Sequence, residues 1–266
     1  MKLRRAAVAG SFYPNDPHEL RASVERYLAD GRRLRADAHA PVRPKALVVP
    51  HAGYVYSGSV AGSAYAAIEP WAHEIRRVVL IGPSHRVAFE GLATSSADAW
   101  ETPLGNVPLD LEGCAALLSL AQVQMRDVAH VAEHSLEVQL PFLQVLLSDF
   151  VLLPIVAGEA PPTAVAEVLE TVWGGEDTLV LVSSDLSHDA DYESARTLDR
   201  AATRAIESLR AEDLGVESAC GRIPLRGLLV AARQHRLQPR TLDLRSSGDT
   251  AGPRDRVVGY GAYAFA

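Results

Sequence analysis

Val78-Val-Leu-Ile-Gly-Pro-Ser-His85 is an unbroken apolar run that stops at glycine and proline and delivers a histidine just beyond. The run has the length of a strand. It lacks the alternation of a strand with one wet face, so it reads as a strand buried on both sides. Two more stretches repeat the pattern: Ala46-Leu-Val-Val-Pro-His51 and Leu179-Val-Leu-Val-Ser-Ser-Asp-Leu-Ser-His188. A fourth run, Val151-Leu-Leu-Pro-Ile-Val156, precedes Gly158. Helical spacing predicts helices over 58–68, 111–120, 135–147, 163–172, 192–209 and 225–235. An opening helix is predicted over about 17–28, with Asp16 as N-cap and Pro17 in the first turn. Strand and helix alternate, which predicts an α/β fold: a mixed, mostly parallel central sheet flanked by helices.

Two segments complicate that outline. Pro141 lies inside the predicted 135–147 helix, where proline costs about 3 kcal/mol. The helix therefore kinks there or starts near Leu140. The segment 30–43, rich in arginine, alanine and aspartate, reads as a linker to the first core strand. Val257-Val-Gly-Tyr-Gly-Ala-Tyr-Ala-Phe265 reads as a closing strand. No break divides the 266 residues, so residues 1–266 are read as a single domain.

Composition narrows the function classes. The net charge is −7, with no basic excess, and aromatic residues make up only 6%. Nucleic acid is thus not an expected partner. No apolar run reaches the ~18 residues of a membrane span. The basic start Met1-Lys2-Leu3-Arg4-Arg5 meets Gly10, Pro14 and Asp16 before any long apolar stretch, so it does not read as a signal peptide. Cys114 and Cys220 are the two cysteines. A disulfide framework is not expected, a reducing cytoplasmic setting is, and each cysteine reads as a small buried hydrophobe.

The chemistry sits at the strand ends. In open α/β sheets ligands bind outside the carboxyl ends of the strands. If the strands are parallel neighbours, His51, His85 and His188 converge on one edge. Imidazole is a frequent ligand of zinc, copper and iron, and two histidines with a carboxylate form an open non-haem Fe(II) site. Asp249, just before the closing strand, is the candidate carboxylate. It reaches that edge only if the closing strand runs antiparallel to its neighbours, which is therefore predicted. Each histidine alone reads equally well as a hydrogen-bonded loop residue. In Glu133-His-Ser-Leu-Glu137, Glu137 reads as an acid near a helix N-terminus, while His134 and Glu133 are candidates to line a pocket. This cluster lacks the second histidine of zinc-protease signatures. Neither a phosphate-binding loop nor a nucleophile elbow is present, and the glycines of 259–264 belong to a strand.

Longer motifs carry a resemblance. Ala9-Gly-Ser-Phe-Tyr-Pro14, Pro50-His-Ala-Gly-Tyr-Val-Tyr-Ser-Gly58, Gly82-Pro-Ser-His85, Thr102-Pro-Leu-Gly105, Glu133-His-Ser-Leu-Glu-Val-Gln-Leu-Pro-Phe142, Ser183-Ser-Asp-Leu-Ser-His188 and Val257-Val-Gly-Tyr260 occur in order over nearly the whole chain. Together they resemble the Memo family, whose bacterial and archaeal members are called AmmeMemoRadiSam system protein B. The resemblance implies a fold similar to class III extradiol dioxygenases. His51 and His85 match its metal histidines, and His188 matches the dioxygenases' acid/base, with Asp185 as near neighbour. Asp249 is matched to the third ligand, a cysteine in the animal protein. That change removes a soft thiolate, so Fe(II) is expected first, with zinc or copper as alternatives.

Two functions follow as expectations. One is an oxidoreductase with a dioxygenase-like pocket and an unknown small-molecule substrate, in which Tyr54, Tyr56 and Ser57 stand at the mouth. The other is a non-catalytic module that binds a metal or a peptide and works with a radical SAM partner. The animal protein's association with phosphotyrosine peptides is not carried over, because no arginine cluster is evident around the site and Arg86 is the one candidate. A third, purely structural reading has the histidines satisfy loops without metal.

Overall fold

The computed structural model describes residues 1–35 and 42–266. Its strands are β1 (Leu3–Arg4), β2 (Ala46–Val49), β3 (Arg77–Pro83), β4 (Leu92–Thr94), β5 (Ala99–Thr102), β6 (Gly105–Pro108), β7 (Val123–Met125), β8 (Val151–Ala157), β9 (Thr178–Ser183), β10 (Pro239–Ser246) and β11 (Gly259–Phe265). The α-helices are α1 (Pro17–Arg35), α2 (Tyr54–Tyr65), α3 (Leu111–Leu117), α4 (Val128–Val131), α5 (Leu140–Leu146), α6 (Pro162–Thr171), α7 (Tyr192–Glu207) and α8 (Arg222–Gln234).

The main sheet has eight strands in the order β10-β11-β2-β9-β3-β8-β4-β7. Its centre, β2-β9-β3-β8, is parallel. Those four strands are the continuous apolar runs of the sequence, and apart from the first residue of β3 and of β8 every one of their residues is buried. Alternate side chains feed two cores. Leu47, Val78, Leu80, Leu152 and Leu181 pack toward α1, α2 and α5. Val48, Val79, Ile81, Leu153 and Val182 pack toward α6, α7 and α8. The result is one α/β domain with helices on both faces of a mixed sheet. The closing strand β11 is antiparallel to β2, with Tyr263 opposite Val48, as its position before the sheet edge requires.

Local chemistry explains where elements begin. Asp16 Oδ1 accepts from the backbone N–H groups of His18 (2.9 Å) and Glu19 (3.0 Å), so α1 starts where the cap predicted. It runs past 28 to Arg35, because Leu20, Val24 and Leu28 keep one face buried against α2. Gly31 and Gly62 sit at that crossing. A Cβ on Gly62 would lie 2.2 Å from the Tyr27 carbonyl oxygen, so the two backbones touch only because neither carries a side chain there. Of the predicted linker, residues 30–35 are the last turns of α1 and residues 36–41 lie outside the described residues. Pro141 falls in the first turn of α5, which starts at Leu140 after a 3₁₀ turn over Glu137–Gln139. The helix drawn over 135–147 is thus shorter, as one of the two sequence alternatives required.

A second sheet, β1-β5-β6, holds the N-terminal segment. Below it Arg4 and Glu137 form a buried ion pair. Glu137 opens the 3₁₀ turn that leads into α5, the helix-start position the sequence predicts, and it is buried there. Its side chain is 0% exposed and also accepts from Ala7 N (2.8 Å), Val8 N (3.0 Å) and the Tyr13 hydroxyl (2.6 Å). One buried carboxylate thereby fixes residues 4–13. Replacing Glu137 with alanine leaves Arg4 buried without its counter-charge and should cost about 3–5 kcal/mol in denaturant unfolding. A loss under about 1 kcal/mol would contradict this role.

His130 is buried beside Trp100 and Arg4. Burial, then the Arg4 charge, pulls its imidazole from 6.5 down to about 4. The unfolded chain takes that proton near 6.5 and the folded one only near 4. Within this window the unfolded state binds more protons, so stability falls as pH drops from about 6.5 to 4 and then levels off. At about 1.4 kcal/mol per pH unit the contribution is at most about 3 kcal/mol. A His130→Gln variant should show a shallower loss across that window in urea unfolding. Parallel curves for the two proteins would contradict the assignment.

Candidate metal centre

The carboxyl ends of β2, β9 and β3 lie side by side. His51 follows β2 and His85 follows β3, so both emerge at the same rim, flanking the end of β9. Their ring centroids are 5.1 Å apart and edge-on. The third imidazole is His134, 5.5 Å from His51 and 4.7 Å from His85. One potential ligand atom from each of the three lies within 4.8 Å of the others. The sequence reading placed His134 only on the pocket wall. It reaches the group because the loop 132–136 passes directly below His85.

Each ring is held from behind. The Glu133 carboxylate accepts from the His85 backbone N–H (2.6 Å) and lies 2.9 Å from its Nδ1. A carboxylate only accepts, so Nδ1 carries the proton and Nε2 presents a lone pair. Glu133 also accepts from His134 N (3.0 Å) and Ser135 N (2.9 Å). Burial alone would raise its pKa; the His85 hydrogen bond and charge outweigh that and hold it at about 2. His51 is buried. Its backbone N–H donates to Asp185 (2.7 Å), and its Nδ1 lies 2.9 Å from Ser183 Oγ.

Burial keeps the rings of His51 and His134 uncharged. Burial, then the neighbouring His85 and His134, pushes His51 well below 6.5. Burial is also the largest cause for His134, lowered to about 4 despite Glu133. The Nδ1 of His134 is buried and finds no hydrogen-bond partner. Crowding neutral imidazoles is costly unless something uses their lone pairs. This donor set fits a borderline transition-metal cation such as zinc, iron or copper.

The remaining expected residues separate into those at the rim and those elsewhere. His188 is exposed. Its Nδ1 lies 2.9 Å from the Leu186 carbonyl, which can only accept, so Nδ1 is protonated and Nε2 is the basic atom. It stands outside the group of three, yet its charge reaches both His51 and Asp185. Asp185 is buried under His51, and burial raises its carboxyl to about 6 against the hydrogen bonds from His51 N and Ala52 N. Arg86 is exposed, and its charge acts on His134. Of the three residues expected at the mouth, Tyr56 alone is exposed. Tyr54 is turned into the core, with its hydroxyl donating to Val138 O (2.7 Å), and Ser57 donates to Ala52 O (2.9 Å) inside the first turn of α2.

Asp249 does not join the histidines. It ends the 3₁₀ turn Ser247–Asp249, where Oδ2 accepts from Ser246 N (2.8 Å) and Ser246 Oγ (3.0 Å) in a capping box. Its Oδ1 accepts from the Tyr192 hydroxyl (2.5 Å). The carboxylate is consumed by its own turn. The atom next to His51 Nε2 is instead Cys220 Sγ, at 3.2 Å. Cys220 is therefore more than a small hydrophobe. Burial, then the Asp185 charge, raises its thiol. The signal for it was Cys220-Gly221 before α8. A Cβ on Gly221 would lie 2.6 Å from Ser184 Cβ, so glycine is what lets this loop touch the end of β9. Phe12 also went unassigned: its ring packs on His134 at 4.6 Å.

A family model described as "Memo-like protein" matches residues 4–264. A MEMO1 family protein of Aquifex aeolicus is 36% identical over 272 residues, covering 98% of each chain. One from Ignicoccus hospitalis is 38% identical over 290 residues, covering 100% of this chain and 99% of its own length. One from Metallosphaera sedula is 33% identical over 291 residues, covering 98% and 99%. Among solved structures, uncharacterized protein JW3007 from Escherichia coli K12 shares the fold, with a TM-score of 0.55 and 11% identity over 84% of this chain and 100% of that one. With its motifs in register over nearly its full length, the chain belongs to the Memo family.

Proposed function

We propose that His51, His85 and His134, with Cys220 beside His51, hold one transition-metal ion, and that the protein is a non-haem metal oxidoreductase acting on a small molecule. The observation that carries this reading is the meeting of three imidazoles, with His51 and His134 held neutral by burial. Fe(II) is our first choice, with zinc and copper as competitors. Cys220 restores a soft donor, so the argument that set copper aside loses its basis. When bound, iron in an open N/S site supplies Lewis acidity and redox chemistry toward dioxygen.

The surrounding residues suit such chemistry. A cavity of about 200 Å³ lies beside Cys220, lined by Ser84, Phe89, Glu159, Arg222 and Ile223 among others. It has room for a small substrate with an apolar body and one anionic end, which Arg222 would meet. In this reading His188 takes the proton of a substrate hydroxyl at Nε2, near the pH where histidine works. Asp185, aimed at His51 from below, holds that segment in place and balances the charge of the centre. Phe12 packs over His134 and shields the centre from water. The family resemblance to extradiol dioxygenases makes a phenolic substrate the first to try.

The competing reading is a metal- or peptide-binding module working with a radical SAM protein. It draws on Arg86, whose charge reaches His134 from an exposed position at the rim. No described helix is long and apolar enough to cross a membrane. Both cysteines are free, which fits the cytoplasm in which we place the protein.

Anaerobically purified protein should carry iron in near-stoichiometric amount and take up dioxygen with a catechol. His85→Ala should weaken metal binding beyond the ~10–100-fold typical of losing an outer partner. Iron retained without oxygen uptake on any catechol would favour the binding module. Unchanged metal content in His85→Ala would contradict both.

A further inference from the structure

His51 lacks a carboxylate to set its proton, unlike His85. We infer that the Ser135 carbonyl, acting through the Ser183 hydroxyl, locks His51 as the Nδ1–H tautomer and so leaves Nε2 without a proton, facing Cys220 Sγ at 3.2 Å. Ser183 is thereby a positioning residue. Use of Nε2 by a metal rests on the proposed centre; the tautomer itself does not.

Four hydrogen bonds in sequence fix the protons, and a fifth agrees with them. The Pro50 carbonyl oxygen can only accept. It lies 3.0 Å from the Gln139 side chain, so the atom there is the amide nitrogen Nε2. The opposite end agrees, since Gln139 Oε1 accepts from the Tyr65 hydroxyl at 2.8 Å. The amide nitrogen's second hydrogen then points at Ser183 Oγ, 2.8 Å away. Ser183 has one hydroxyl proton, and the Ser135 carbonyl at 2.6 Å takes it. Oγ is now donor to Ser135 and acceptor from Gln139. Only acceptor capacity remains for the fourth partner, His51 Nδ1 at 2.9 Å, so Nδ1 must donate.

Burial makes the relay rigid. Ser135 and Ser183 are 0% exposed, Gln139 1% and His51 2%, so solvent has little access to supply alternative partners. The opposite tautomer would set the Nδ1 lone pair against a hydroxyl oxygen with no proton left to give. One unmade buried hydrogen bond biases the population roughly 5–150-fold. The relay is also neutral. Glu133 brings a negative charge to His85, whereas Ser183 orients His51 without adding one.

The test uses full-length apo protein with ¹⁵N-labelled histidine. Long-range ¹H–¹⁵N spectra at neutral pH should show His51 with Nδ1 protonated and Nε2 bare. Ser183→Ala should move His51 toward the Nε2–H form and weaken Zn²⁺ binding, measured by titration, by roughly 10–100-fold. Ser183→Thr keeps the hydroxyl and should keep both properties. Gln139→Met removes a donor to Ser183 Oγ but leaves the Ser135 carbonyl to take the Ser183 proton, so His51 should keep its proton on Nδ1. Unchanged His85 signals report that each variant is folded. A wild-type His51 carrying its proton on Nε2, a reading that needs no variant, would overturn the inference. So would a Ser183→Ala spectrum identical to wild type. If the tautomer shifts as described but Zn²⁺ binds neither protein, the relay stands and the metal-centre reading fails.

Discussion

Everything at the rim depends on β9 lying between β2 and β3. Neighbouring strands sit about 4.8 Å apart, so the strands that deliver His51 and His85 are separated by roughly 10 Å. Their rings nevertheless meet at 5.1 Å. Both must lean over the end of β9, and that end must be low. It is: the strand finishes at Ser183, Ser184 follows, and Gly221 of the α8 loop closes over both. A bulky residue at either serine would prop the imidazoles apart. The same serines supply the hydroxyls that such a packed, buried corner needs, because no buried polar group there can count on water.

Beneath this corner runs one short stretch, Glu133 to Gln139, that ties the site together. Glu133 orients His85, and His134 enters the cluster itself. The Ser135 carbonyl and the Gln139 amide meet at Ser183 under His51. Glu137 points the other way and anchors the N-terminal segment that presses Phe12 onto His134. The stretch stays out of regular α-helix until Leu140 because those side chains and the Ser135 carbonyl are committed to partners a helix would turn away from.

Much of the fold could be read in advance for a simple reason. Fully buried parallel strands are continuous apolar runs, and β2, β3, β8 and β9 announce themselves that way. The closing strand is antiparallel as predicted, but that prediction rested on Asp249 joining the site, which it does not. The edge strands β7 and β10, the short β4 beside β7, and the small β1-β5-β6 sheet were not legible. They are short or mixed in polarity, as in Gly105-Asn-Val-Pro108, and owe their form to neighbours distant in sequence. The site divided along the same line. His51 and His85 follow strands and could be placed. His134 and Cys220 arrive on loops whose approach only the packed structure defines. Asp249 was at the right edge of the sheet, but a capping box and Tyr192 claim its oxygens, and sequence spacing does not report a side chain already spent.

The central claim is that three imidazoles from separate segments form one coordination sphere. X-ray absorption spectroscopy of the zinc-loaded protein tests it directly. The account predicts imidazole scattering with a nitrogen shell at about 2.0–2.1 Å, and a sulfur at about 2.3 Å if Cys220 completes the sphere. A shell made only of oxygen, without imidazole scattering, would contradict it.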